Sequence, residues 1–96
     1  MADYRLTLLA EGDLAGIADR TIETLGIEQA RRYRDGLEAC FGMLADNPRL
    51  GRNAESLAPN LRRFEHRSHV VFYVERDDDV VIVRVLHASM DPPRHI

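Results

Sequence analysis

The sequence has 96 residues, of which 45% are hydrophobic and 30% are charged, and these fractions are typical of a globular protein rather than a disordered one. The formal net charge of −3 argues against general affinity for nucleic acid, because polyanions attract positively charged surfaces. No apolar run approaches the roughly 20 residues that span a bilayer, so we expect no membrane association. One cysteine excludes an internal disulfide, and we expect the protein to be cytoplasmic. The length predicts a single domain over residues 1–96.

The first half of the chain predicts one strand followed by two helices. The stretch "YRLTLL", residues 4–9, alternates apolar and polar side chains and predicts a strand. Over residues 11–25 the apolar side chains recur at helical spacing, and Gly26 is suited to end this helix. A second apolar stripe covers residues 30–44, and the proline after Asn47 ends it. The short connection predicts an antiparallel helical hairpin.

The second half of the chain predicts a three-stranded antiparallel meander. Residues 48–60 are rich in Pro, Gly and Asn and indicate a surface loop. Three strands are then predicted at 61–67, 69–75 and 80–87, with a tight acidic turn at 76–79. The order β-α-α-β-β-β defines an α+β fold with the helical hairpin packed on one face of an antiparallel sheet.

Alternation along the last two strands predicts which side chains face the helices. We expect the other face to be partly apolar and partly basic, and to be covered only by the end of the chain or by another protein. The predicted helix-covered residues are Val70, Phe72, Val74, Val81, Val83 and Val85, and those on the open face are His69, Val71, Tyr73, Val80, Ile82, Arg84 and Leu86.

The C-terminal third holds all four histidines and several arginines, which are the ingredients of ribonuclease chemistry. Such a reaction needs a base for the 2′-hydroxyl, an acid for the leaving oxygen and cations for the phosphate. Residue types alone do not distinguish this chemistry from structural roles. The acid–base candidates are His66, His69, His87 and Tyr73, and the phosphate-binding candidates are Arg62, Arg63, Arg67 and Arg84.

No metal or cofactor site is predicted. His66 and His69 are three residues apart on or near a strand, where odd spacing directs side chains to opposite faces. The acidic run 77–79 lacks the alternating oxygen spacing of a calcium loop. The buried position of Cys40 on the second helical stripe predicts a packing role rather than a nucleophile.

The last stretch, "RVLHASMDPPRHI" at residues 84–96, is unusual because small domains commonly end in loosely ordered polar residues. One interpretation is a binding or reactive site. The other is a structural clasp, in which Met90 packs back on the sheet, Asp91 pairs with an arginine and two prolines stiffen the chain. Residue spacing leaves both interpretations open.

The chain resembles the ParE branch of the ParE/RelE toxin superfamily over nearly its whole length. The matching stretches are "YRLTLLAEGDLAGI" (4–17), "GIEQARRYRDGLEACFGMLADNPRLGR" (26–52), "RRFEHRSHVVFYV" (62–74) and "VVIVRVLHASMDPPRH" (80–95). The most specific elements are Asn47-Pro48 with Gly51, and "RVLH" followed by "MD" and "RH".

This resemblance implies a toxin of a type II toxin–antitoxin module. ParE-like toxins are not enzymes; they inhibit DNA gyrase, trap it with cleaved DNA, and form hetero-oligomers with a ParD-like antitoxin. That antitoxin has a ribbon-helix-helix DNA-binding part and a segment that wraps the toxin, so no specific nucleic-acid binding is expected of this chain. RelE-like relatives instead cut messenger RNA on the ribosome, and His87 keeps this alternative open. The absence of lysine and of an aromatic residue after position 87 favours ParE.

Two sets of site residues follow from the resemblance and the predicted faces. The expected contributors to toxicity, by contact with the target or by holding the end of the chain, are Arg84, His87, Met90, Asp91 and Arg94. The expected antitoxin contacts, on the predicted open face, are His69, Tyr73, Ile82 and Arg84.

Overall fold

The computed structural model describes residues 2–96, in which two helices pack on a five-stranded sheet. The strand order is β1-β5-β4-β3-β2, with β1 parallel to β5 and the other neighbours antiparallel. The predicted fold class is therefore confirmed, and the sheet is mixed because β1 joins its edge in parallel. The elements are β1 (Tyr4–Leu6), α1 (Leu8–Leu25), α2 (Ile27–Asp46), β2 (Arg52–Asn53), β3 (Arg62–His66), β4 (His69–Arg76), β5 (Asp79–His87) and a 3₁₀ turn (Pro92–Arg94).

The helical hairpin matches the prediction except at its start. α1 begins at Leu8, because the Thr7 hydroxyl accepts a hydrogen bond from the Ala10 amide at 3.0 Å and so caps the helix. Leu8 and Leu9 are exposed, so their apolar character does not mark a buried strand. Gly26 alone joins the helices, with φ of 90°, a conformation that favours glycine.

The predicted faces of the sheet are wrong for most positions. The core under the helices contains Val71, Tyr73, Val80 and Ile82, which were assigned to the open face. A β-bulge changes the register between Phe72 and Tyr73, so that Phe72 pairs with Arg84 while Tyr73 pairs with Ile82. Only beyond the bulge do Val85, under the helices, and Leu86, on the opposite face, match the prediction. The prediction is wrong for five residues that it placed under the helices. Alternation along the strands, counted from the core residues named above, puts them on the other face. These residues are Val70, Phe72, Val74, Val81 and Val83.

The second face of the sheet is covered both by residues 54–61 and by Ile96 at the end of the chain, so the prediction that only the end of the chain or another protein covers it is wrong. Its core cluster consists of Ala54, Leu61, Val70, Phe72 and Leu86. Residues 54–61, which connect β2 to β3, supply part of this cover. Because both faces are buried, β4 is apolar on both sides and its sequence contains no polar face from which the orientation can be predicted.

The loop between α2 and β2 is fixed by one buried hydroxyl. The Tyr73 hydroxyl donates to the Pro48 carbonyl at 2.7 Å and accepts from the Gly51 amide at 2.8 Å. A side chain on Gly51 would lie 2.8 Å from the Arg63 carbonyl oxygen and would collide with Tyr73. This close approach explains why glycine occupies position 51 and why the loop has a single path.

Within residues 2–96, neither helix is sufficiently long and apolar to cross a membrane. In the same part of the chain, no three His, Cys, Asp or Glu side chains are grouped so that they would hold a metal ion. Cys40 is buried in the helical core with 5% exposure, as predicted.

Candidate functional site around the end of β5

Arg84 and Asp13 form a bidentate ion pair between β5 and α1. Arg84 Nε and Nη2 donate to the two carboxylate oxygens of Asp13, each at 2.8 Å, and only 14% of either side chain is exposed. The amide of Val85, which follows the β-bulge, donates to the same carboxylate at 2.9 Å. The hydrogen bonds to Asp13 raise the pKa of Arg84. Three donors on one carboxylate fix α1 against the end of the sheet.

Arg84 also holds the end of the chain, here called the C-terminal segment (residues 87–96), which begins at the last residue of β5. Its Nη1 donates to the His95 carbonyl at 2.8 Å, after the 3₁₀ turn at Pro92–Arg94 has reversed the chain. Ile96 then packs against the core cluster on the second face of the sheet. The C-terminal segment is therefore held against the fold by Arg84 and Ile96, whereas Met90, which the clasp interpretation expects to pack back on the sheet, is 37% exposed.

The other predicted toxicity residues lie on the outside of this anchored segment. His87, Met90, Asp91 and Arg94 are all exposed to solvent. Arg94 Nε lies 3.7 Å from Asp91, but both side chains are mostly exposed, at 82% and 62%, so this pair contributes little stability. The segment thus presents two charged side chains, an imidazole and a thioether on a fixed support, and their role in toxicity stays a prediction.

The surface that was predicted to contact an antitoxin is not available as predicted. Tyr73 and Ile82 have no exposed area and lie under the helices, while His69 is 8% exposed. The Arg84 guanidinium is committed to Asp13 and to the C-terminal segment. The error follows from the reversed face assignment, because exposure was the basis for choosing these residues.

His69 nevertheless forms the floor of a surface groove of about 330 Å³ between the helical hairpin and the ends of β4 and β5. The Tyr33 hydroxyl lies 2.5 Å from His69 Nδ1, and the rings of His69 and His87 meet edge to face with centroids 5.3 Å apart. We call this feature the histidine groove. It is lined by Ile17, Arg20, Thr21, Thr24, Leu25, Gln29, Tyr33, Ser68, His69 and His87.

His69 is neutral at physiological pH. Burial lowers its pKa to about 4, and the nearby positive charges of His87, Arg20 and His66 act in the same direction. Burial also raises the pKa of Tyr33, so the Tyr33 hydroxyl keeps its proton. Its hydrogen bond goes to His69 Nδ1 at 2.5 Å, which is much nearer than the other acceptor, the His66 carbonyl at 3.5 Å. The proton of the neutral imidazole is consequently on Nε2.

The residues suggested for ribonuclease chemistry do not converge on one cleft. Tyr73 is occupied by the loop contacts described above, and Arg62 donates to the Gly51 carbonyl at 2.8 Å. The Arg63 guanidinium lies over the Phe72 ring, 5.4 Å from its centroid, on the second face. Of the predicted acid–base residues, only the three histidines lie together. The rings of His66 and His69 both contact the Tyr33 ring, and His87 contacts the ring of His69.

Three residues important to this region were missed in the sequence. Asp13 lies next to Leu14 and four residues before Ile17, so its position places a carboxylate beside the buried helical stripe of α1. Tyr33 lies on the apolar stripe of α2, yet its hydroxyl reaches His69. Arg20 carries no local sequence signal, since its place in the groove depends on how α1 docks on the sheet.

Two helices on a five-stranded mixed sheet, with a segment anchored after the last strand, make up the α+β fold of this chain. A solved structure described as "Chromosomal ParDE TA system from P. aeruginosa" has the same fold, with a TM-score of 0.75. The likeness covers 91% of this chain and 96% of that one at 20% sequence identity.

The family follows from sequence comparison. Residues 4–92 match the family described as "ParE toxin of type II toxin-antitoxin system, parDE". The chain is 40% identical to Toxin ParE1 of Caulobacter vibrioides over 96 residues, which cover 100% of this chain and 99% of that protein. It is 35% identical to Toxin ParE1 of Mycobacterium tuberculosis (strain H37Rv) over 94 residues, covering 97% and 96%. The chain belongs to the ParE toxin family.

Proposed function

We propose that this ParE-family chain binds and inhibits DNA gyrase in the cytoplasm, without catalysing a reaction of its own. Gyrase inhibition is what the resemblance to ParE toxins implies. The observation that carries the proposal is the anchored C-terminal segment, in which Arg84 fixes the backbone and His87, Met90, Asp91 and Arg94 remain exposed. A fixed surface of mixed chemistry is suited to docking on a protein, because little conformational freedom is lost on binding.

The contacts of the candidate catalysts favour this proposal over cleavage of messenger RNA. Tyr73 and Arg84 are held by internal hydrogen bonds, and His69, with a pKa of about 4, carries no proton that it can donate as an acid near neutral pH. His87 is exposed, and its Nδ1 is hydrogen-bonded to Ser89.

We further propose that a ParD-like antitoxin with a ribbon-helix-helix part neutralises the toxin by folding a segment on its surface. The parDE description of the family supports a partner of this kind. Apolar side chains also remain exposed at the end of the helical hairpin, where Ile22, Leu25 and Ile27 have 43%, 68% and 56% of their area exposed. A group of exposed apolar residues on a small protein is typical of an interaction surface.

The test of the target is a supercoiling assay with purified gyrase and relaxed plasmid. Wild-type protein is expected to inhibit supercoiling, and the double variant Met90→Ala/Arg94→Ala is expected to need a concentration at least about tenfold higher. Arg32→Ala is the matched control, because Arg32 is 74% exposed on α2, away from the C-terminal segment.

Two results would contradict the proposal for the target. Folded wild-type protein that leaves supercoiling unchanged would exclude gyrase. Codon-positioned cleavage of messenger RNA in a translating extract, abolished by His87→Ala, would favour the ribonuclease alternative. The antitoxin is tested separately: the protein encoded beside this gene is expected to restore supercoiling, and its failure to bind would contradict the proposed partner.

A further inference from the structure

The histidine groove is positively charged, and the proposed contact of the C-terminal segment with gyrase gives this charge no role. Of its ten lining residues, Arg20 is the only one with a permanent charge, and none is Asp or Glu. Arg20 makes no salt bridge to any residue in the range 2–96. A solvent-accessible guanidinium without an acidic neighbour in a groove is a place where a ligand carboxylate gains a charge-assisted hydrogen bond.

The Arg20 guanidinium lies against α1 in the space that Gly16 leaves open, because glycine has no side chain. Its Nη1 lies 3.4 Å from the position that a Cβ on Gly16 would occupy, so the guanidinium folds back over α1. Its charge also reaches His69, whose pKa it helps to lower. The cation of Arg20 therefore lies at the groove, where it is exposed and can be reached by a ligand.

The two imidazoles in the groove also present donors. Tyr33 occupies His69 Nδ1, as shown above, and the amide of Ser89 donates to His87 Nδ1 at 3.1 Å. A neutral imidazole whose Nδ1 accepts a hydrogen bond has its proton on Nε2. Neither Nε2 has a hydrogen-bond partner among the described residues. Arg20, His69 and His87 together thus offer donors and no negative acceptor.

The rim of the groove is apolar on the side of the hairpin. Leu25 lines the groove with 68% of its area exposed, and the buried side chain of Ile17 lines it as well. A ligand that fills this site carries an anionic group for the floor and an aliphatic group for the rim. A peptide with an acidic residue close to a branched aliphatic residue has this chemistry.

We propose that the histidine groove binds an Asp or Glu side chain of the antitoxin segment, with an aliphatic neighbour of that residue packed on Leu25. The proposal rests on the antitoxin partner proposed above and adds the chemistry of its contact. A nucleic-acid phosphate is disfavoured as the occupant, because one arginine on a chain of net charge −3 lacks the several cations that phosphate backbones require.

The test measures the affinity of the full-length antitoxin from the neighbouring reading frame by calorimetry. Arg20→Ala is expected to weaken binding about tenfold, and Arg20→Glu, which adds repulsion, by more than about a hundredfold. Arg32→Ala is expected to bind within about twofold of wild type, because that exposed guanidinium lies outside the groove. Circular dichroism and gyrase inhibition confirm that each variant is folded.

A charge exchange identifies the partner residue. Each Asp and Glu of the antitoxin segment is changed to Arg and tested against Arg20→Glu, and one position is expected to recover at least tenfold in affinity, about 1.4 kcal/mol. Recovery at no position would overturn the proposal. So would equal antitoxin affinity of Arg20→Glu and Arg32→Ala, while leaving the antitoxin itself intact as a partner.

Two further outcomes separate this proposal from others. If wild-type protein does not bind the antitoxin at all, the proposed function fails rather than the groove alone. If a labelled twelve-nucleotide single-stranded RNA binds wild type and is lost on Arg20→Glu, the groove is a phosphate site and the acidic-peptide proposal is overturned.

Discussion

Arg84 connects three parts of the molecule through one guanidinium. It binds Asp13 on α1 with two hydrogen bonds and the His95 carbonyl with a third, while its own backbone is part of β5. A charge that is 14% exposed is costly to leave without its partner. The residue therefore supports the exposed surface of the C-terminal segment indirectly, by fixing its backbone.

Asp13→Asn tests this support, because it removes the charge and keeps the shape of the side chain. We expect the free energy of unfolding, measured by urea denaturation, to fall by about 3 kcal/mol, since the Arg84 guanidinium stays buried without a carboxylate. The control is Arg34→Ala, which breaks the half-exposed pair with Glu38 at 3.6 Å and is expected to cost under about 1 kcal/mol. Equal costs for the two variants would show that the buried pair is no stronger than a surface one.

His69 makes stability depend on pH. The unfolded imidazole binds a proton near pH 6.5, whereas the folded one, with a pKa of about 4, does not until the solution is far more acidic. Between these values the unfolded state holds more protons, so acidification favours unfolding. We expect the free energy of unfolding to fall by roughly 3 kcal/mol as the pH drops from 6.5 to 4 and to be insensitive to His69 above 6.5.

The measurement is urea denaturation at several pH values for wild type and for His69→Gln. Glutamine retains a polar side chain that does not titrate, so the fall in stability is expected to shrink in the variant. An identical pH dependence in both proteins would show that the pKa of His69 does not differ between the folded and unfolded states.

At the scale of elements, the loop that follows α2 depends on a side chain from the middle of the sheet. The Tyr73 hydroxyl is buried and satisfies both the Pro48 carbonyl and the Gly51 amide. The same residue packs in the core under the helices. The position of β2 beside β3 is thereby linked to the packing of the helical hairpin.

Tyr73→Phe removes this link and leaves the Gly51 amide buried without an acceptor. We expect a loss of about 1–3 kcal/mol in the free energy of unfolding, read from chemical denaturation. Tyr4→Phe serves as the control, because the Tyr4 hydroxyl makes no hydrogen bond to another residue described in the structure. A loss as small in Tyr73→Phe as in Tyr4→Phe would mean that water or a shifted loop satisfies the freed amide.

The elements were predictable to the extent that their periodicity was visible. The helical hairpin and the three-stranded meander follow from spacing alone, and the path through Gly26 follows from glycine chemistry. The start of α1 was misplaced because two exposed leucines resemble a strand. β2 was missed because two residues carry no pattern.

The candidate site was less predictable than the elements, for a physical reason. Its geometry depends on the bulge beside Phe72 and on the burial of both faces of β4. Neither feature can be recognised from the local alternation of apolar and polar residues. Arg84 stands out in the sequence as a candidate, but its partner Asp13 is 71 residues away in sequence. Contacts over such separations come from tertiary packing, which periodicity does not contain.

At the scale of the whole molecule, the two proposed surfaces share a residue. His87 begins the C-terminal segment and also lines the histidine groove. An antitoxin segment seated in the groove would therefore cover part of the surface proposed to contact gyrase. Neutralisation then requires no change in the fold of the toxin, only occupation of a shared edge.

This arrangement predicts that gyrase and the antitoxin compete for the toxin. In a pull-down with immobilised toxin, added antitoxin is expected to release bound gyrase in proportion to its occupancy. Arg20→Glu toxin, which binds the antitoxin weakly under our proposal, is expected to retain gyrase at the same antitoxin concentration. A ternary complex of all three proteins would contradict competition at this edge.

Under our proposal, this ParE-family protein acts on gyrase through its C-terminal segment. The most direct measurement incubates purified gyrase, supercoiled plasmid and the toxin, then denatures the mixture with detergent and protease to reveal trapped DNA breaks. We expect linear plasmid to accumulate with toxin concentration for wild type and Arg32→Ala, and to be strongly reduced for Met90→Ala/Arg94→Ala. Linear plasmid that stays at background with folded wild-type toxin at every concentration would contradict the account.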